Sequence, residues 1–357
     1  MHYQTIVIGL GSMGAATTYY LAQRGVKVLG LEQFALVHEN GSHTGQSRII
    51  RQAYAEHPDY VPLLRRAYEN WSKFEKLTGE KLINRTGLAY FGPPQMPFIQ
   101  GVKTSAQAHH IPVDQYNHHT GQVKFPWVNL PDTYHAVWEP DAGYVIPENT
   151  IALYAQQAQK LGATLYEHET VQRWQLKGNQ VEVISDKNRY TTEKLIITAG
   201  AYAGRLLPHL EQPLQVTRQW LTWVQPNQTS TLEELPCWIF EVPGVDGIYY
   251  GFPEIKTPWL SSKAIQVSGF KIAHHTPGQA LTVEQLPTTL DQAAVVQEQK
   301  KLRDFIQAYI PALQGEFVAI KQCLYTYSAD GHFMIDYLPN NYRLVVVAVG
   351  FCGHGFK

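Results

Sequence analysis

Three glycines near the start of the chain, Gly9, Gly11 and Gly14, form a G-x-G-x-x-G pattern. The pattern follows an apolar run and opens a segment of helical composition, which is the setting in which such glycines bind a dinucleotide. The first glycine permits a tight turn, the second lets the backbone approach a pyrophosphate, and the third lets helix and strand pack closely. Glu32 ends the next apolar run and could accept hydrogen bonds from a ribose 2′-OH. These residues predict a dinucleotide site, and they do not distinguish FAD from NAD.

Two arginines, Arg48 and Arg51, stand three positions apart in an irregular segment. A guanidinium can hold both oxygens of a carboxylate, although a solvent-facing salt bridge is the common alternative. Lys271 lies in a strand pattern and Lys357 is the last residue of the sequence. Solvent exposure is the ordinary expectation for such lysines. These four cations are candidate anion-binding residues whose roles the spacing leaves open.

The cysteines are Cys237, Cys323 and Cys352, and no C-x-x-C pair is present. They are too few and too scattered for a disulfide framework, which predicts a reduced, cytoplasmic setting. Taken alone, a single cysteine is ordinarily a small buried hydrophobe rather than a reactive thiol.

Secondary-structure patterns place these residues in a sheet of nucleotide-binding type. Residues 5–8 and 26–31 read as buried strands with a helix over 15–24 between them, which is a β-α-β unit. A second buried-strand pattern at 344–349 ends in another glycine-rich turn, and much of the intervening chain is strand-like. One domain is therefore expected to combine sequence-distant segments around an inserted second domain.

Two helices are predicted between these strands. Apolar residues at helical spacing indicate a helix over residues 60–77, with Asp59 as its N-cap. A second amphipathic pattern covers residues 148–161 and is closed by Gly162.

Composition excludes several classes of function. The 357 residues carry 29 Lys+Arg against 30 Asp+Glu, a net charge of −1, which argues against nucleic acid and anionic membrane as partners. With 44% hydrophobic and 17% charged residues, the chain has the composition of a globular protein. No apolar run is long enough to span a bilayer, and the N-terminus lacks a secretory-signal pattern.

Four blocks carry a resemblance to a known family: GSHTGQSRIIR at 41–51, YYGFP at 249–253, FKIAHH at 270–275 and GFCGHGFK at 350–357. They are similar to segments of the monomeric sarcosine oxidase and N-methyl-L-tryptophan oxidase family of FAD-dependent amine oxidases. The blocks follow the family's order and span essentially the whole chain, so together they are far more specific than the glycine pattern alone.

The resemblance implies a mixed α/β fold with two domains. A Rossmann-type FAD-binding domain would be assembled from N- and C-terminal segments, with an inserted antiparallel-sheet domain for substrate. The expected FAD-binding segments are residues 1–85, 145–210 and 318–357. The expected substrate-binding segments are residues 86–144 and 211–317.

The resemblance also assigns a cofactor site. FAD is expected to be bound covalently, by a thioether between Cys323 and the 8α carbon of the isoalloxazine ring. The noncovalent cofactor-binding residues are expected to be Gly9, Gly11, Gly14, Glu32, Ser42, Arg48, Gly353 and Gly355.

Further residues receive catalytic or substrate-binding roles from the same resemblance. Arg51 and Lys357 are expected to clamp the substrate carboxylate, with Tyr325 as another pocket residue. The four catalytic candidates are Lys271 for oxygen activation, Arg48 for flavin electrostatics, and His275 and Tyr250 for contact with the substrate.

The implied activity is oxidation of small secondary L-amino acids, either N-methylated or cyclic. Hydride would pass to flavin N5, the imine would hydrolyse, and oxygen would be reduced to hydrogen peroxide. Alternatives are a deaminating amino-acid oxidase, a flavin dehydrogenase with a non-oxygen acceptor, and a nicotinamide dehydrogenase. The expected partners are the amino acid and oxygen, and the protein is expected to be a monomer.

The sequence departs from the family pattern at several places. Gln46 and Ser47 replace an Asp-Thr pair, and Cys352 stands where the family has serine. The family also continues past the position of Lys357 into a helix directed at the flavin N1–C2=O edge. A flavin-binding protein without catalysis is therefore a further alternative.

Overall fold

A glycine turn between a strand and a helix begins the fold. The computed structural model describes residues 1–208, 210, 214–256, 266–286, 289–339 and 343–357. Strand β1 (His2–Ile8), helix α1 (Ser12–Gln23) and strand β2 (Val28–Leu31) form the predicted β-α-β unit, with β1 and β2 parallel. The unit is confirmed because its buried apolar runs pair within one sheet.

The first sheet joins the two ends of the chain. Its order is β10-β11-β12-β1-β2-β9, with β20 beside β12 and β19 beside β20. The added strands are β9 (Thr164–Tyr166), β10 (Val171–Lys177), β11 (Gln180–Ser185), β12 (Arg189–Ile197), β19 (Met334–Tyr337) and β20 (Val345–Val349). Strands β9, β2, β1, β12 and β20 are parallel to their neighbours in this series. The predicted assembly from sequence-distant segments is therefore confirmed for this sheet.

Register brings the carboxyl ends of three parallel strands together. Ile8 pairs with Ile197, and Ile197 pairs with Val347. The turns that follow β1, β12 and β20 consequently meet at one edge of the sheet. In open parallel sheets this edge is where ligands bind.

The second sheet is antiparallel except where β5 and β14 pair. Its order is β17-β13-β16-β15-β14-β5-β7-β6, and β18 also pairs with β13. The strands are β5 (Leu88–Gly92), β6 (Asp114–Tyr116), β7 (His135–Glu139), β13 (Gln215–Pro226), β14 (Cys237–Phe240), β15 (Ile248–Gly251), β16 (Phe270–His275), β17 (Gln279–Leu281) and β18 (Gly315–Tyr327). The predicted domain boundaries stay a prediction, since strand pairing defines sheets rather than domains.

A small third sheet positions the two candidate arginines. Its order is β3 (Arg48–Ile50), β8 (Gly143–Val145) and β4 (Ile83–Asn84). Strand β3 pairs with β8 in antiparallel register, so that Arg48 lies opposite Val145. Arg48 is the first residue of β3 and Arg51 directly follows its last residue, so this short strand positions both cations.

Helices cover the sheets and connect them. They are α2 (Val61–Thr78), α3 (Pro97–His109), α4 (His118–Lys124), α5 (Pro147–Lys160), α6 (Ala203–Leu206) and α7 (Gln292–Tyr309). Tyr154 of α5 contacts Tyr19 of α1 at 5.4 Å between ring centroids and stacks on Phe74 of α2 at 4.2 Å. Among the helices that the structure describes, none combines the length and apolar character needed to cross a bilayer.

The predicted N-cap of α2 is wrong, although the helix itself is confirmed. Helix α2 is preceded by one 3₁₀ turn (Pro58–Tyr60), and its capping residue is Tyr60, which makes no side-chain capping bond. An Asp59 cap would accept the backbone N–H of residue 61 or 62, but Pro62 has none and the N–H of Val61 donates to the carbonyl of Pro58 in the 3₁₀ turn. His57 instead accepts the backbone N–H of Asp59 at 3.2 Å.

Candidate cofactor cleft and active site

A cleft opens at the edge where the turns after β1, β12 and β20 meet. Its empty volume is about 1280 Å³, including open solvent at its mouth. The predicted cofactor-binding residues that line it are Gly9, Gly11, Glu32, Ser42, Arg48, Gly353 and Gly355. Gly14 and Cys323 are not among its lining residues. The cleft thus brings together most of the predicted cofactor residues from both ends of the chain.

Each of the three glycines in the first turn has a different structural role. Gly9 has φ +87°, and a Cβ there would lie 2.7 Å from the carbonyl oxygen of Thr198. A Cβ on Gly14 would lie 1.7 Å from the carbonyl oxygen of Gly9, so Gly14 packs α1 against the turn. At Gly11 the nearest atom to a Cβ is 3.5 Å away, in His43, which leaves the backbone open to a ligand. No side chain caps the N-terminus of α1.

Glu32 is buried at the end of β2 and fixes the loop around it. Its Oε2 accepts the backbone N–H of Leu10 at 2.8 Å, and its Oε1 accepts that of Phe34 at 3.0 Å. Burial raises the pKa of Glu32, while these two hydrogen bonds oppose the shift. A carboxylate has about four acceptor positions, so capacity remains for a ligand hydroxyl.

Three polar atoms in cleft-lining residues are buried without a hydrogen-bond partner. They are His43 Nε2, Tyr202 OH and Thr326 Oγ1. An unsatisfied buried polar group costs about 1–3 kcal/mol, so such atoms indicate a missing polar partner. Burial lowers the pKa of His43 well below its usual value, which leaves a neutral ring that can donate or accept. The donors, the glycine turns and the free end of α1 fit a dinucleotide such as FAD.

Arg48 binds the loop that precedes it. Its Nη2 donates to the carbonyl oxygens of Ser42 at 2.6 Å and Thr44 at 2.7 Å, and its Nη1 donates to that of Ser47 at 2.7 Å. The guanidinium therefore holds residues 42–47 in a fixed loop while also lining the cleft. The sequence did not indicate this structural role.

Lys271 is buried beside the same loop, with 2% of its surface exposed. Its Nζ donates to the carbonyl oxygens of Gly45 and Ser47, each at 2.7 Å, and lies 4.2 Å from the ring centroid of Phe252. Burial and the Arg48 charge lower the pKa of Lys271 well below its ordinary value. The ordinary expectation of a solvent-exposed lysine is wrong here.

Arg51 is paired with an acid that the sequence analysis did not identify. Its Nη2 lies 2.7 Å from both carboxylate oxygens of Glu56, and its Nη1 donates to the carbonyl oxygen of Ala53 at 3.2 Å. Burial would raise the pKa of Glu56, but the nearby Arg51, His354 and Lys357 together outweigh burial, and the pKa is lowered. The Arg51 side chain is only 4% exposed and that of Glu56 is 25% exposed. The alternative in the sequence analysis, a solvent-facing salt bridge, is therefore wrong. Arg51, predicted to bind the carboxylate of a substrate, thus binds the carboxylate of Glu56 in this structure.

Lys357 reaches the same region from the C-terminal turn. Its Nζ lies 6.0 Å from the ring centroid of Tyr54, and Arg51 lies 4.4 Å from that ring. Burial, together with Arg51, lowers the pKa of Lys357 to about 7, while Glu56 opposes the shift. The Tyr54 hydroxyl donates to the carbonyl oxygen of His354 at 2.6 Å, which ties the two segments together. Two predicted substrate residues, Arg51 and Lys357, are thus brought to one place.

The other predicted pocket residues form a hydrogen-bonded group. His275 Nδ1 lies 3.1 Å from the hydroxyl of Tyr325, which is also hydrogen-bonded to Tyr250. Burial lowers the pKa of His275 to about 4 and raises that of Tyr250 to about 12. At neutral pH the group is uncharged, so it can orient a substrate amine but has no strong base.

Cys323 lies in the hydrophobic cluster that contains Tyr325 and contacts Tyr250. Burial raises the pKa of its thiol, while Arg48 and Lys271 oppose the shift. The thiol is thus protonated in this environment, next to the two cations that favour its thiolate. Cys352 lines the cleft, and its thiol donates to the carbonyl oxygen of Gly350 at 3.0 Å.

Two named proteins are similar to this chain along its full length. Monomeric sarcosine oxidase of Bacillus sp. (strain B-0618) is 36% identical over 363 positions, covering 100% of this chain and 89% of that protein. N-methyl-L-tryptophan oxidase of Yersinia pestis (strain Pestoides F) is 32% identical over 358 positions, covering 100% of this chain and 92% of that protein.

Solved structures share the fold at lower identity. NikD, described as an unusual amino acid oxidase essential for nikkomycin biosynthesis, superposes with a TM-score of 0.84 at 22% identity, covering 98% of this chain and 90% of its own. Glycine oxidase from Geobacillus kaustophilus gives a TM-score of 0.77 at 20% identity, covering 99% of this chain and 90% of its own. The family described as DAO, FAD dependent oxidoreductase, matches residues 4–357. This match, with 36% identity to a relative over the full chain, shows that the chain belongs to the FAD dependent oxidoreductase family.

Proposed function

We propose that this protein is an FAD-dependent oxidase of small secondary amino acids with N-methyl or cyclic amines. The observation that carries the proposal is the convergence of Arg51, Lys357 and the His275–Tyr325 pair beside the cofactor cleft, which Tyr325 lines. FAD, when bound, would supply the hydride-accepting and oxygen-reducing chemistry. For an N-methyl substrate, the amine, oxygen and water would yield the primary amine, formaldehyde and hydrogen peroxide.

The residues of the cleft have the properties needed to hold FAD. Gly9, Gly11 and the N-terminus of α1 would receive the pyrophosphate, and Glu32 would accept a ribose hydroxyl. Ser42, Gly353 and Gly355 line the same cleft and would contact the cofactor closely. Gly14 would act indirectly, by packing α1 against the turn.

Substrate binding would centre on the Arg51–Glu56 pair. An incoming carboxylate offers the same two oxygens as Glu56, so it can replace Glu56 on Arg51 or bind Lys357 beside it. Holding the carboxylate orients the amine end of the substrate, which converts binding into alignment for hydride transfer. Tyr250, Tyr325 and the neutral His275 would contact the amine and exclude water.

Lys271 would act on oxygen rather than on the amino acid. Its two carbonyl partners, Gly45 and Ser47, hold the ammonium in a dry site. A fixed positive charge in such a site stabilises negative charge that develops on oxygen during reduction. Arg48, which donates to the same Ser47 carbonyl oxygen as Lys271, would add to the positive potential.

The activity is tested by two measurements on the purified holoprotein. Anaerobic mixing with sarcosine, N-methyltryptophan, proline or pipecolate is expected to bleach the flavin absorbance for at least one of them. In air, one peroxide per substrate oxidised is expected. Bleaching without peroxide would indicate a dehydrogenase, release of ammonia would indicate a deaminating oxidase, and no bleaching by any amino acid would contradict catalysis. A monomeric state and a cytoplasmic location remain predictions from the sequence.

Substrate affinity is expected to weaken above pH 7. The pKa of Lys357, lowered to about 7, means that the ammonium is charged below this pH and neutral above it. The carboxylate of the substrate binds the charged form, so KM should rise by up to about tenfold per pH unit above the pKa, until Arg51 alone holds the carboxylate. KM for an N-methyl amino acid, measured across the neutral and alkaline range, checks the slope. In Lys357→Met the slope should vanish, and a wild-type KM that stays constant would contradict this role.

Covalent attachment at Cys323 is expected to survive denaturation. The nearby Arg48 and Lys271 charges favour the thiolate that attachment needs. Acid-precipitated wild-type protein should keep its flavin in the pellet, whereas Cys323→Ser should release it. Cys352→Ser is the matched control, since this second thiol lines the cleft, and it should retain the flavin. Full release from the wild-type protein would exclude the thioether.

A further inference from the structure

A buried carboxylate lies on the opposite side of the loop that holds Lys271. Glu148 is the second residue of α5, and 5% of its surface is exposed. Its Oε1 accepts the backbone N–H groups of Gly45 at 3.1 Å and Gln46 at 3.0 Å. The catalytic and binding roles proposed above do not use this residue.

One peptide group connects the carboxylate to the ammonium. The carbonyl of Gly45 and the N–H of Gln46 belong to the same peptide unit. The carbonyl accepts from Lys271 Nζ at 2.7 Å, and the N–H donates to Glu148 Oε1 at 3.0 Å. Lys271 and Glu148 are therefore joined end to end through a single amide.

The fold fixes this arrangement from both sides. Helix α5 begins directly after β8, and β8 pairs with β3 so that Val145 lies opposite Arg48. Glu148 is thereby placed against the residues that precede Arg48. Gly45 and Gln46 both have positive φ, at +102° and +70°, so the loop adopts a backbone conformation that L-residues rarely choose.

Burial raises the pKa of Glu148, while the Gln46 N–H and the charges of Arg48 and Lys271 favour its carboxylate form. Glu148 Oε2 is buried without a hydrogen-bond partner. In a low-dielectric interior, hydrogen bonds in series polarise one another, so negative charge at the N–H end increases the negative charge on the carbonyl oxygen. The Gly45 carbonyl then becomes a better acceptor for a charged Lys271.

We propose that Glu148 is a positioning residue that holds Lys271 in place and in its charged form through the Gly45–Gln46 peptide group. The titratable groups facing Lys271 are Arg48 on β3, Glu148 on α5, Cys323 on β18 and Cys237 on β14. Arg48 disfavours the ammonium, and Glu148 is the carboxylate that opposes it. The coupling itself stands on these contacts, and only its consequence for oxygen reduction rests on the proposed function.

The coupling is tested by titrating Lys271 in the holoprotein. Lysine labelled with ¹³C at Cε gives one signal per residue, and the signal lost in Lys271→Met identifies Lys271. Glu148→Gln keeps an amide oxygen to accept the two N–H groups but removes the charge. The titration midpoint of Lys271 is expected to fall by about one pH unit or more, a tenfold loss of proton affinity. An unchanged midpoint would overturn the proposal.

Glu139 provides a matched control. This buried carboxylate also accepts two backbone N–H groups, those of Gln52 at 2.6 Å and Ala53 at 3.3 Å, which follow the C-terminal end of β3. The carbonyl groups to which Lys271 donates are those of Gly45 and Ser47, which precede β3, so Glu139 has no such link to Lys271. Glu139→Gln should leave the Lys271 midpoint in place, and an equal shift in both variants would also overturn the proposal. If Glu148→Gln does not fold, Glu148→Asp, which withdraws the charge from the loop, should still lower the midpoint.

The same variants separate this inference from the proposed function. A lowered Lys271 midpoint in Glu148→Gln supports the coupling whether or not any amino acid is oxidised. Absence of peroxide with every substrate would defeat the proposed function alone. If both hold, the pH profile of the oxygen reaction should move by the same amount as the midpoint.

Discussion

Replacing Lys271 with methionine is expected to slow the reaction of the reduced protein with oxygen by about 10²–10³-fold, the usual effect of removing one preorganised electrostatic group. Methionine has a similar length and is apolar, so it suits a site beside Phe252. The loss would be of charge rather than of volume. Reduction of the flavin by substrate should change much less, because the amino acid is proposed to bind Arg51 and Lys357.

The two half-reactions can be measured separately. Anaerobic mixing with substrate gives the rate of flavin reduction, and mixing the reduced protein with oxygenated buffer gives the rate of reoxidation. Lys301→Met is a suitable control, because this lysine on α7 has a side chain that is 58% exposed. Reoxidation as fast in Lys271→Met as in the control would exclude Lys271 from oxygen reduction.

Replacing Arg51 with methionine is expected to reduce the preference for substrates with a carboxylate strongly, leaving only the contribution of Lys357. A charge-assisted bidentate pair in a buried site contributes several kcal/mol, which corresponds to about 10²-fold or more in KM. The ratio of kcat/KM for an N-methyl amino acid to that for the matching N-methylamine isolates this contribution. In the wild-type protein the ratio should be large, and in the variant it should fall by about 10²-fold or more.

The Arg51→Met variant also leaves Glu56 without its partner. The resulting loss of folding stability must be separated from the effect on substrate binding. Removing one member of a buried ion pair costs about 3–5 kcal/mol of folding stability. The double variant Arg51→Met/Glu56→Gln should recover part of the thermal stability while keeping the loss of carboxylate preference. A single variant with the same ratio as the wild-type protein would show that Lys357 alone binds the carboxylate.

Some features could be predicted from neighbouring residues in the sequence, and others could not. The glycine turn at residues 9–14 was predictable because its spacing directly follows an apolar run, and because the close contact that requires Gly14, with the carbonyl of Gly9, lies within the strand-turn-helix unit. The helix over 60–77 was also predictable, yet its cap was not, since a 3₁₀ turn at Pro58–Tyr60 precedes the helix and uses the N–H of Val61. The cofactor residues in the 41–51 and 350–357 blocks followed from resemblance rather than from any pattern in the chain itself.

By itself, the sequence determined the parallel β-α-β unit and the apolar strand near the C-terminus that joins it, because these depend on the spacing of apolar residues and glycines along the chain. Only the tertiary structure decided what the charged residues contact. Glu148 meets Gly45 across 103 positions, and Lys271 meets it across 226. Even the nearby Arg51–Glu56 pair depends on burial, which spacing does not reveal. Charged groups have many possible partners along a chain, and it is the packing of distant strands that removes water and selects one of them.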